Sequence, residues 1–298
     1  MWPPSVPRAT VDRIAAPAIS VKVSAHASAA LNYLSHRHAA TDAVVPQALA
    51  KGALRKRRTG IQAAMTVQPS TASTFNASEA VDAMRLLLPT SLIIKGGGLN
   101  LHDRLIYPEG DLIGRAVQKR RREFIAGRTY AREALNELGQ PSVPIMKKSS
   151  RAPLWPNGFV GAISHTQMLC AAVVGRAAEF ASIGIDIEDD TPLDPDLVPL
   201  ICLPTELCGR DTIETAMGID LPKLIFVAKE AFYKLYNPTT DCFLDFLDVK
   251  VVINPMLNSF KAHLASEAAP SFLGRRCVGG RFGRHAGTVF ALVWLPVD

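Results

Sequence analysis

Along residues 183–188 the chain alternates, with isoleucines at 183, 185 and 187 interleaved by Gly184, Asp186 and Glu188. A strand turns successive side chains to opposite faces, so both carboxylates leave one face while the isoleucines pack on the other. Between Leu221 and Tyr236 the period lengthens to that of a helix. Leu221, Leu224, Ile225, Ala228, Phe232 and Leu235 form its apolar side, with Pro222 near the start and Pro238 just past the predicted end. Glu230 and Lys234, four residues apart, share another side. A second long helix is predicted over residues 114–138, closed by Gly139 and Pro141, with Val117, Phe124, Ala131, Leu135 and Leu138 as its buried stripe. A short helix is expected from Glu79 to Leu88, ending at Pro89. Residues 159–166 read as a strand leaving a proline-bounded turn, and residues 168–174 return as its hairpin partner.

The polar positions on these elements carry the candidate chemistry. Asp186, Glu188 and Glu230 are three oxygen donors on two rigid elements, the set a hard cation such as Mg²⁺ uses to hold a pyrophosphate. Mn²⁺ accepts similar ligands. On the first long helix, Arg121, Arg128 and Arg132 return to nearly the same angle, and Arg120 lies about 80° from Arg128. Gathered guanidiniums suit phosphate recognition. The bland alternative, favoured on this helix alone, is a solvated face paired to Glu123, Glu133 and Glu137. His165 ends its strand, where it either donates to a phosphate or is structural. Ser164 beside it points to the opposite face, which is no triad signal. Gly96, Gly97 and Gly98 form a turn without a GxxxxGK[ST] or GxGxxG pattern, and no short-period repeat is present.

Composition changes the picture at one end. The 298 residues are 48% hydrophobic and 20% charged, as in a soluble globular protein. The net charge of +6 is uneven: residues 1–64 hold nine Lys/Arg and two Asp/Glu, leaving 24 basic and 25 acidic groups over 65–298. The basic segment is rich in Ala, Ser, Thr and Pro, lacks a period, and is expected to be a poorly ordered extension over residues 1–76. Its cluster Lys51, Arg55, Lys56, Arg57 and Arg58 reads as a solvated tail rather than a nucleic-acid contact. Translation from Met65 would remove it, and its prolines argue against a transit peptide. No apolar run approaches the roughly 18–20 residues that span a bilayer. Five cysteines without a CxxC read as reduced thiols, which points to the cytoplasm.

In chain order, the segments resemble the 4′-phosphopantetheinyl transferases of the siderophore-synthase type, that of the enterobactin synthetase component. The resemblance covers about residues 79–298. It rests on Lys119-Arg120-Arg121 with Glu123-Phe124, Gly127-Arg128 and Ala131-Arg132, then Pro144-Ile145, Pro153, Trp155-Pro156, Gly158 and Ser164-His165. The strand GIDIE at 184–188 and the helix AKEAFYK at 228–234 match its two signatures, followed by Phe246, Asp248-Val249 and the terminal strand.

The resemblance implies an α+β fold of two similar lobes related by a pseudo-twofold axis, here residues 77–178 and 179–298, with the active site between them. It implies Mg²⁺-dependent transfer of 4′-phosphopantetheine from coenzyme A to a serine of an apo acyl or peptidyl carrier, releasing 3′,5′-ADP. Asp186, Glu188 and Glu230 would then hold the metal. Arg120, Arg128, Lys147 and His165 match positions that hold coenzyme A, and Lys229 and Lys234 match lysines beside its pyrophosphate. Glu230 is the candidate base, acting directly or through a water, and Lys234 would stabilise the leaving group. Two lobes in one chain allow a monomer to build the whole site. Ala162 and Val227 depart from the family pattern, where hydroxyl or thiol residues are usual, and altered packing or coenzyme A contacts, not lost activity, are the expected consequence. A non-catalytic coenzyme A or carrier binder would not need all three acids. A Mg²⁺-dependent nuclease would place Glu-x-Lys on a strand, and a near-neutral body fits extended nucleic acid poorly.

Overall fold

The structure is a computed structural model that describes residues 75–102, 105–114 and 116–297. Apart from Phe75 and Asn76, the extension expected over 1–76 lies outside the described residues. The described chain opens with Asn76, whose side chain accepts the Ser78 N–H and caps helix α1 (Ala77–Arg85). There follow β1 (Ile93–Gly97), α2 (Gln118–Glu137), the short strands β2 (Met146–Lys147) and β3 (Pro153–Leu154), then β4 (Phe159–His165) and β5 (Cys170–Arg176). The second half comprises β6 (Phe180–Asp189), α3 (Val198–Ile201), α4 (Arg210–Met217), α5 (Leu221–Thr240), β7 (Val249–Asn254), β8 (Ser259–Leu264), β9 (Cys277–His285) and β10 (Thr288–Pro296).

The fold is α+β with antiparallel sheets, ordered β1-β5-β4, β6-β10-β9-β8-β7 and β2-β3. Each half lays a 20-residue helix on a sheet, α2 on β5 and β1, α5 on β6 and β10. The halves therefore share a plan while differing in strand number. One apolar cluster joins Ile183, Ile185 and Ile187 of β6 to Ala162 and Val173 of the first sheet and Met84 of α1. Apolar packing thus crosses the expected division at 178/179. No helix among the described residues is long and apolar enough to cross a membrane.

The alternation read in β6 is what docks α5. The isoleucines face the shared cluster, and Gly184 faces the helix, where an added Cβ would lie 1.9 Å from the Ala231 carbonyl oxygen. Only glycine lets the two backbones approach so closely. Helix α5 also runs further than its prolines suggest, with Pro238 inside it. Pro238 sits in the last turn, where one missing N–H costs little. The hydroxyls of Thr239 and Thr240 donate to the Tyr236 carbonyl, and Asp241 closes the helix in the left-handed region.

A buried carboxylate–cation clamp occurs in each half. Glu109 is fully buried, and both its oxygens accept Arg132 Nη1 at 2.7 Å. It also accepts the Ile106 N–H at 2.9 Å and the Ile145 N–H at 2.8 Å. Glu206 likewise accepts Lys229 Nζ at 2.8 Å, the Leu203 N–H at 2.6 Å and the Val251 N–H at 2.6 Å. In both clamps the glutamate binds the N–H three residues before it and the cation 23 residues after it. Two further carbonyls, of Ile201 and Phe246, occupy the remaining donors of Lys229. Burial lowers the Lys229 pKa, partly offset by Glu206. Removing one partner of such a pair strands the other charge away from water. Lys229→Ala is therefore expected to destabilise the protein by about 3–5 kcal/mol in urea unfolding without coenzyme A or metal. A loss below about 1 kcal/mol, the size of an exposed pair, would contradict this structural role.

Candidate active site between the lobes

Where β4 meets β6 and α5, Asp186, Ser164 and Lys234 form one hydrogen-bonded group. Asp186 is almost fully buried, and its Oδ1 accepts Lys234 Nζ at 2.7 Å and Ser164 Oγ at 3.0 Å. Its Oδ2 is buried with no hydrogen-bond partner. Ser164 Oγ in turn accepts Lys234 Nζ at 3.0 Å and the Ile187 N–H at 3.2 Å. Glu230, one helical turn before Lys234, has its pKa pushed up to about 8 by burial first and then by the negative charge of Asp186, with Glu188 adding to it and Lys234 opposing. Glu188 lies on the same face of β6, its Oε2 3.9 Å from the ammonium of the buried Lys223. Glu230 and Lys234 also line a cavity of about 460 Å³ with Arg120, Trp155, Tyr233 and Phe243.

Two family models match this architecture. That of the 4′-phosphopantetheinyl transferase N-terminal domain covers residues 108–175, and that of the 4′-phosphopantetheinyl transferase superfamily covers residues 182–277. The chain is 36% identical over 195 residues to 4′-phosphopantetheinyl transferase Svp of Streptomyces mobaraensis, covering 63% of this chain and 78% of that protein. It is 39% identical over 162 residues to 4′-phosphopantetheinyl transferase Npt of Nocardia iowensis, covering 52% and 72%. Enterobactin synthase component D of Salmonella typhimurium is 37% identical over 141 residues, covering 46% and 56%. The chain belongs to the 4′-phosphopantetheinyl transferase superfamily. It is thus a transferase of a family that moves phosphopantetheine onto carrier proteins.

Against the residues expected to serve such a transferase, the structure is selective. It brings Asp186, Glu230 and Lys234 together. It also sets Arg120 Nη1 3.3 Å from His165 Nε2, with Glu123 Oε2 3.4 Å from that arginine and 3.8 Å from that imidazole. Lys147 is exposed on β2 and does not line the cavity. Lys229 is corrected: its ammonium is turned inward onto Glu206 and two carbonyls, and no donor remains for a pyrophosphate. The arginine row on α2 is neither a gathered phosphate cradle nor a solvated face. Arg132 is spent on Glu109. Arg128 is buried over the Phe124 ring, its Nε donates to the Ile145 carbonyl, and burial lowers its pKa to about 10. Ala162 and Val227 each pack in an apolar cluster.

Sequence reasoning passed over Ser164, Lys223, Glu109 and Glu206. For Ser164 the sequence showed only that strand alternation turns it away from His165; that this is toward Asp186 follows from the structure. Among the described residues no three of His, Cys, Asp and Glu are already gathered as a metal cage. The donor set nevertheless fits a magnesium-class ion. A buried carboxylate oxygen lacks a partner, and Glu230 lies close enough to feel Asp186 and Glu188. Mg²⁺ is commonly held by one or two carboxylates together with substrate phosphates.

The raised Glu230 carboxyl has a measurable consequence. Without metal, folded Glu230 holds its proton up to about pH 8, whereas the unfolded chain releases it near 4.5. Its stability contribution is thus complete below about 4.5 and declines as the pH rises toward 8. Glu230→Gln removes that decline. In EDTA, the melting temperature of the variant minus that of the native protein is expected to grow from pH 5 to pH 8. Parallel melting curves over that range would contradict the burial of this charge.

Proposed function

We propose that the protein transfers 4′-phosphopantetheine from coenzyme A to a serine of an apo carrier protein, acting as a monomer with Mg²⁺ and releasing 3′,5′-ADP. The observation that carries this reading is the buried, partnerless Oδ2 of Asp186 beside Glu230 and Lys234, two residues that line the cavity. Asp186, Glu188 and Glu230 would hold the metal, which supplies charge neutralisation at the pyrophosphate. Manganese would suit the same oxygens. Arg120 and His165, paired at the end of β4, offer cationic and hydrogen-bonding groups to the phosphates of coenzyme A. Lys147 and Arg128 would add to the hold on coenzyme A, Lys147 from an exposed position on β2 and Arg128 while its Nε donates to the Ile145 carbonyl.

In the reaction the carrier serine oxygen forms a bond to the β-phosphorus of coenzyme A, and the bond to the 3′,5′-ADP oxygen breaks. Glu230 takes the serine proton, directly or through a water, once the cation and Lys234 hold it ionised. Lys234 places its ammonium where charge develops on the departing phosphate. The apolar side of the cavity, with Trp155, Tyr233 and Phe243, keeps water from competing with the serine. The likeness to enterobactin synthase component D supports carriers of siderophore or nonribosomal peptide assembly as partners. Five free thiols fit a reducing, cytoplasmic setting.

Intact-mass analysis of an apo carrier incubated with the protein, coenzyme A and Mg²⁺ tests this reading. A gain of about 340 Da, the mass of the phosphopantetheinyl arm, is expected with metal and not with EDTA. Asp186→Ala is expected to lose at least about a hundredfold in rate while its far-ultraviolet circular dichroism is unchanged. Transfer in EDTA, or full activity of Asp186→Ala, would overturn the metal assignment.

A further inference from the structure

The first lobe contributes no carboxylate to the proposed metal site, yet one of its side chains is bonded to that site from three directions. Ser164, near the end of β4, is 3% exposed. Its single hydroxyl proton has one acceptor in reach, Asp186 Oδ1 at 3.0 Å. Both lone pairs are committed, one to Lys234 Nζ and one to the Ile187 N–H. A hydroxyl with one donor and two acceptor positions is thereby fully used, which fixes its rotation.

The consequence falls on the aspartate. Two hydrogen bonds, from Ser164 and Lys234, converge on Oδ1 and leave Oδ2 without a partner. A carboxylate free about its terminal bond could turn its plane through a wide range, because that torsion is broad. Here only one orientation satisfies the serine and the lysine together. Lys234 would be drawn toward substrate phosphate during turnover, so the serine is the partner that stays.

We propose that Ser164 is a positioning residue that locks the Asp186 carboxylate with Oδ2 directed at the divalent cation. The first lobe thereby sets metal affinity in a site whose ligands all belong to the second. The proposal rests on the reading of Asp186 as a metal ligand. The Ser164 hydroxyl is taken up by Asp186, Lys234 and the Ile187 N–H, so its effect passes through the ligand it orients.

Mn²⁺ binding, followed by the electron paramagnetic resonance of the free ion with coenzyme A present, separates this role from simple packing. Ser164→Ala is expected to weaken Mn²⁺ binding about 10–100-fold, with coenzyme A binding in EDTA and the melting temperature in EDTA close to native. Ser164→Cys keeps the volume but hydrogen-bonds weakly, so it should fold even if the alanine variant does not, and should also lose affinity. Ser164→Thr, which keeps the hydroxyl, should recover most of it. Native Mn²⁺ affinity in the alanine or cysteine variant overturns the proposal, as does a loss matched by an equal fall in EDTA stability. If the native protein itself bound no Mn²⁺, the metal reading would fail and this proposal with it. Unchanged affinity in the variants beside tight native binding would remove this proposal alone.

Discussion

Everything at the lobe interface follows from putting three carboxylates, Asp186, Glu188 and Glu230, into one poorly hydrated region. Like charges so placed cannot all ionise unless cations sit among them. The protein answers each one differently. Lys234 lies on Asp186, the buried Lys223 approaches Glu188, and Glu230 is pushed toward its protonated form. These provisions neutralise the group without filling it, since one oxygen of Asp186 keeps no partner. A divalent cation arriving with a pyrophosphate would complete what two ammoniums and a proton leave unfinished, and this unfinished compensation is why the proposed chemistry belongs here.

The scaffold exists to hold β6 and α5 in contact at that point. Gly184 lets the two backbones touch, and the isoleucines on the reverse face tie β6 to the first sheet and to α1. Two matching clamps, Glu109 with Arg132 and Glu206 with Lys229, pin each long helix to the turns around it. The clamp of the second half ends at Lys229, the residue before Glu230. One ion pair thus fixes the rotation of the helix that carries the proposed base. The three-residue and 23-residue spacings recur in both halves of the described chain, at the level of single hydrogen bonds.

Much of this was legible in the chain. Period-two alternation placed Asp186 and Glu188 on one face of β6, and helical spacing put Glu230 and Lys234 on one side of α5, because both patterns are local. The hairpin of β4 and β5 was also readable, as a strand leaving a proline-bounded turn and a second run returning beside it. The inward turns of Arg132 and Lys229 were hidden for a common reason: a basic side chain beside a motif looks like a ligand until its partner is known. Those partners lie far off in sequence, Glu109 and Glu206 each 23 residues away, and a carbonyl such as that of Ile145 leaves no signature at all. Pro238 misled because proline in the last helical turn costs less than proline in the middle. The role of Ser164 depended on β4 lying against β6, which is a tertiary fact.

The most direct test of the central claim is a crystal structure of the protein with Mn²⁺ and coenzyme A, read by anomalous scattering at the manganese edge. The account predicts one manganese peak bonded to Asp186 Oδ2, Glu188 and Glu230, with the pyrophosphate completing its coordination. Manganese bound to none of these residues, with Lys234 still on Asp186 and coenzyme A in the cavity, would contradict it.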